Sequence, residues 1–137
     1  MKYNVGLMLT AAALTVFAIP SHAQQDSYPA VCRSEMNMPA PTHSDGMMNG
    51  MMKDHQKAAM EGVMRMDRNM MQGMMKEDAD VAFICGMVAH HQGAIDMAKV
   101  ELLHGDNAWA KEMAQKVIDA QTKEIAEMTG WLNDNAK

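Results

Sequence analysis

The chain has 137 residues, with 12 Lys and Arg against 17 Asp and Glu, a formal net charge of −5 with neutral histidines. That balance disfavours nucleic acid as a partner and is compatible with collecting cations. Aromatic residues make up only 4% of the chain while 19 residues are methionine, more than gap-filling in a single core explains.

Lys2 precedes an apolar run from Val5 to Ile19, and Pro20-Ser21-His22-Ala23 ends in the Ser-x-Ala pattern that suits signal peptidase, so residues 1–23 read as a signal peptide. The run is short for a bilayer span of about 20 residues, and no other stretch is long or apolar enough. The expected product is periplasmic or secreted, free of the membrane after cleavage, with enough chain for one domain and one core. Residues 24–52 read as a Met-rich flexible arm. Pro29, Pro39, Pro41 and Gly46 break any period, while Met36-Asn37-Met38, His43, Met47-Met48 and Met51-Met52 set soft ligands on flexible backbone. Loose metal capture and a solvated tail with incidental methionines are both open for it.

A bundle domain is expected over residues 53–137. Its first helix is predicted from about Lys53 to Lys76, with Gln56, Met60, Val63, Met64, Met70, Met71, Met74 and Met75 on one side. Asp67 lies in the middle of that stripe, where a carboxylate needs a cation, a donor or water. A second helix runs from about Asp80 to His104, capped by Asp78 or Asp80 and followed by Gly105 as its C′ residue. The connection is so short that a third helix, capped by Asp106 or Asn107 and reaching about Asn133, must return antiparallel. Its broad apolar face carries Trp109, Ala110, Met113, Ala114, Val117, Ala120, Ile125, Met128, Trp131 and Leu132, with Gln121 and Glu124 among them. A buried carboxylate is costly unless paired, and His90 and His91 are its expected partners. No alternating β-branched runs occur, so the fold is expected to be all-α.

The second helix carries the chemistry. At about 100° per residue, Met87, His90, His91, Ala94, Met97 and Glu101 share an arc roughly 120° wide. An apolar stripe of Val81, Ile84, Val88, Ile95 and Leu102 flanks it on one side, and a small-residue strip of Ala82, Gly86, Ala89 and Gly93 on the other. Both flanks suit contact, so this helix should be central and its His/Met arc should face other helices. Thioethers are soft, neutral donors that favour Cu(I), and oxidation cannot tie them up in disulfides. Cys85 lies about 160° from Met87 and faces away from the arc. Export makes a disulfide with Cys32 the default, with metal binding or free thiols as alternatives.

Gly86-Met87-Val88, the run His90-His91-Gln92-Gly93-Ala94-Ile95-Asp96-Met97-Ala98, and then Gln121, Glu124-Ile125, Met128 and Trp131-Leu132 resemble the family catalogued as domain of unknown function 305. Its members include periplasmic copper-binding proteins of the CopM type. The resemblance implies a ferritin-like antiparallel helical bundle, here three main helices plus the Met-rich N-terminal arm, exported and binding Cu(I) or Ag(I) through Met and His on facing helices. In the first helix the family pattern has Met-His where this chain has Met66-Asp67, so a ligand position falls on a carboxylate.

The leading expectation is a non-enzymatic copper-binding protein that sequesters the metal ion or delivers it to a copper-transfer partner. Met87, His90, His91 and Met97 are the first ligand choices, joined by Met128 or Met113 and by Met60, Met64, Met70 or Met71. Gln121 and Glu124 are cast as holding an imidazole tautomer. The bland alternative is a hydrogen-bonded polar core without metal. A carboxylate-bridged di-iron enzyme needs two Glu-x-x-His motifs, and only Glu101-Leu102-Leu103-His104 fits. A third reading makes the methionines a binding surface for exported client proteins.

Overall fold

A computed structural model describes residues 28–34 and 51–136; the predicted signal peptide and the clusters from Met36 to Met48 lie outside these residues. A three-residue 3₁₀ turn, Ala30–Cys32, is followed by α1 (Asp54–Met74), α2 (Ala79–His104) and α3 (Ala108–Asn135). Among the described residues there is no strand, and no helix is long and apolar enough to cross a membrane. The fold is an all-α helical bundle.

Local chemistry sets the helix ends. Backbone N–H of Lys53 donates to Gln56 Oε1 at 2.8 Å. Asp78, one of the two expected caps, accepts from the N–H groups of Asp80 at 2.9 Å and Val81 at 3.0 Å, and Asn107 Oδ1 accepts from Ala110 N–H at 3.0 Å. Each removes a donor that the first turn cannot satisfy internally. Gly105 differs from the expected left-handed C′ residue, with φ −73° and ψ 159°. A β-carbon there would collide with the Glu101 side chain folded back over the helix end, so close approach accounts for the glycine.

Both connections are short, and α2 runs antiparallel to both neighbours. A β-carbon built on Gly62 would touch Asp96, one on Gly73 would touch Cys85, and one on Gly93 would touch Met66. The small strip of α2 thus meets α1, while Val81 and Val88 bury toward α3. Helices α1 and α3 make at most marginal contact with each other, so α2 forms the middle of an open layer.

The core is lopsided. Tyr28, Cys32, Val81, Cys85, Val88, Ala89 and Leu132 are buried together, with Met70, Ile84, Ile125, Met128 and Trp131 packed around them. This places the core at the N-terminal end of α2, where Tyr28–Ser34 fills the groove between α1 and α3. Cys32 is disulfide-bonded to Cys85. The Tyr28 hydroxyl donates toward the carbonyls of Asn69 at 2.8 Å and Cys85 at 3.2 Å, Arg33 Nη2 donates to the Tyr28 carbonyl, and Lys76 Nζ donates to the Arg33 carbonyl at 2.7 Å. Residues 28–34 therefore belong to the packed body, although they fall within the stretch that reads as an arm. At the opposite end the expected broad face of α3 is not covered: Trp109, Met113 and Ala120 are exposed, and Ala114 and Leu132 carry the burial.

Candidate metal centre

The expectation that the His/Met arc faces other helices is corrected by the open layer. Both flanks of α2 are used, but α1 and α3 converge on the opposite side, leaving Phe83, His90 and Met97 exposed and Met87 and Ala94 half-buried. Only His91, at the edge of the arc nearest α3, turns inward. Its side chain is 9% exposed and its Nε2 lies 2.6 Å from Glu124 Oε2, on a glutamate whose side chain is 50% exposed.

An ionised carboxylate only accepts, so Nε2 carries the proton in this pair. The other ring nitrogen, Nδ1, is then left with a lone pair, and it is buried with no hydrogen-bonding partner among the described residues. Gln121 Oε1, one turn earlier on α3, is likewise buried and without a partner among the described residues. Met87 lies four residues before His91 and Met128 four residues after Glu124, and both are half-buried. Because α2 and α3 are antiparallel, both thioethers step in the same direction from the His91–Glu124 rung. One imidazole nitrogen and two thioethers thus border one small region, while Gln121 steps the opposite way along α3 and lies on the other side of the rung. That donor chemistry fits a soft monovalent ion, and the carboxylate behind the imidazole fixes its tautomer.

The remaining predicted ligands do not gather there. Met97 stands ten residues from Met87, about 15 Å along the helix axis, so one ion cannot bind both within a chain. Met113, eleven residues from Glu124, is equally remote and lies at the exposed end. Met60 and Met71 are exposed, Met64 is half-buried, and Met70 packs against the core; all belong to α1, on the far side of α2 from Glu124. Asp67 is exposed, so no buried partner is required for it. His90 is exposed with its ring edge-on to His91, 6.0 Å between centroids. Among the described residues no three His, Cys, Asp or Glu side chains converge as a metal site, so any ion held here takes thioethers beside a single imidazole.

Two features escape a sequence reading. Met66 lies against Gly93, where a glycine on the small strip signals a close neighbour without naming it. Beside it Arg65 pairs with Asp96 at 2.9 Å, and a groove of about 240 Å³ opens between the three helices, lined by Met66, Asn69, Gln92, Lys99 and Thr122 among others. His55 and His104 also meet across α1 and α2, with ring centroids 6.1 Å apart; only the antiparallel register brings them together.

No curated protein matches the chain. The family described as Domain of unknown function (DUF305) matches residues 19–132, a span that takes in all of α1 and α2 and most of α3. The chain therefore belongs to the DUF305 family.

Proposed function

We propose that this protein binds Cu(I), and Ag(I) by the same donors, at a centre formed by His91 Nδ1, Met87 and Met128, and that it sequesters or delivers copper without catalysing a reaction. The observation that carries this reading is the Nδ1 of His91, buried and without a partner among the described residues, behind an engaged Nε2. An orphaned lone pair in the interior costs about 1–3 kcal/mol, which a bound ion would relieve. Thioether ligands also suit an oxidising compartment, and the Cys32–Cys85 disulfide fits export to the periplasm, where such bonds persist. The relation to CopM-type relatives and delivery to a copper-transfer protein belong to the same proposal.

Anaerobic Cu(I) titration against a competing chelator tests it. His91→Ala, and Met87→Leu combined with Met128→Leu, should each lower affinity by about tenfold or more, and Glu124→Gln by about tenfold. His90→Ala should change it little. Wild-type affinity in His91→Ala, or Zn²⁺ bound as tightly as Cu(I), would overturn the assignment.

A further inference from the structure

Phe83, Met87, His90, Ala94, Met97 and Glu101 follow one another at alternating intervals of four and three residues on the uncovered side of α2. This is the seam spacing with which one helix packs along another. The seam reads alike from both ends. A second copy laid antiparallel, about a two-fold axis between His90 and Ala94, sets Phe83 against the partner's Glu101, Met87 against the partner's Met97, and His90 against the partner's Ala94. Each pair then occurs twice, as an isologous interface requires, and a large side chain meets a small one at the axis.

The flanking helices repeat the pattern. By their 100° spacing, Met74 of α1 and Trp131 of α3 border the Phe83 end, while Met60 of α1 and Met113 and Trp109 of α3 border the Met97 end. Asp67 and Glu124 flank His90 in the middle. The two-fold lays each apolar end on the apolar end of the other copy and sets imidazoles among carboxylates at the centre. With Phe83 64%, Met74 62%, Met97 50%, Met113 42%, Met60 38% and Trp109 70% exposed, the face offers on the order of 600 Å² of apolar side chain. That approaches the roughly 800 Å² each partner contributes to a stable pair. We propose that this face docks a second copy of the chain as an antiparallel two-fold dimer. The pairing brings together Met87 and the partner's Met97, which a single chain holds far apart, and it requires no metal.

Sedimentation velocity of the purified, metal-free protein up to about 100 µM tests it. The wild type should sediment as a dimer. Ala94→Glu and Phe83→Glu should weaken the dimer by about tenfold or more, the second through repulsion by the partner's Glu101. Phe83→Lys should keep the dimer, and Phe83→Glu with Glu101→Lys should restore it; circular dichroism and the intact disulfide report that each variant is folded. A monomeric wild type, assembly beyond the dimer, or equal weakening by Phe83→Glu and Phe83→Lys would overturn the proposal.

Discussion

On the groove side of α2, the N-terminal end is close-packed. Gly73 leaves no room for a β-carbon beside Tyr28 and Cys85, the disulfide crosses to Cys32, and the Tyr28 hydroxyl reaches two main-chain carbonyls. On the other side Phe83, His90 and Met97 are exposed, and His91 turns in, toward Glu124. The difference separates what holds the fold from what the fold presents. Small residues and a covalent link make one side dense, while on the other Met128 alone of the proposed donors also packs against the core.

Cutting the Cys32–Cys85 bond should have the largest effect on the dense side. The cysteines are 53 residues apart in sequence, and chain entropy for such a loop gives about 4 kcal/mol. Replacing both with Ala should therefore lower the melting temperature by roughly 15 °C or more; an unchanged thermal melt would mean that the 28–34 segment adds nothing to stability. Next comes Gly73→Ala, whose β-carbon would sit 2.6 Å from the Tyr28 hydroxyl and 2.8 Å from Cys85 Cβ. Urea denaturation should show a loss of about 1–3 kcal/mol. Gly93→Ala, which meets the flexible Met66 side chain, should cost less.

Tyr28→Phe should cost about 1 kcal/mol by removing the hydroxyl hydrogen bonds. It should also change the alkaline limb of the stability curve. Burial pushes the Tyr28 pKa from 10.0 up to about 12. Below pH 10 folded and unfolded chains both hold the proton, and the stabilisation is complete; between 10 and 12 the unfolded chain loses it first, so stability falls as pH rises. Denaturation curves of Tyr28→Phe should lack that contribution. The smallest effect is expected on the open side, where Met97→Gln should alter stability by no more than about 0.5 kcal/mol in the monomer.

Much of the fold was legible because helical signals are local. Asp78 and Asn107 announce helix starts, the three residues from Gly105 to Asn107 force an antiparallel return, and the orientation of Cys85 away from Met87 leaves it free to bond Cys32. Glu124 was legible for a different reason: a carboxylate on an apolar face demands a partner, and His91 supplies it. The side on which α1 and α3 converge was not legible. Periodicity tells which residues of α2 have neighbours, yet the stripe and the small strip are equally compatible with closure over the His/Met arc or over the opposite groove. Tyr28–Cys32 occupies that groove, and a three-residue 3₁₀ turn is too short to show a period. Placing Met87 and Met97 in one site neglected rise: sharing a face does not place two side chains at the same height.

The central claim is that His91 presents Nδ1 to a soft ion while Glu124 holds Nε2–H, and long-range ¹H–¹⁵N correlation of the histidine rings during Ag(I) titration tests it most directly. Metal-free His91 should carry its proton on Nε2, and Ag(I) should shift its Nδ1 resonance before that of either His90 nitrogen. A proton on Nδ1, or Ag(I) shifts at His90 with His91 unmoved, would contradict it.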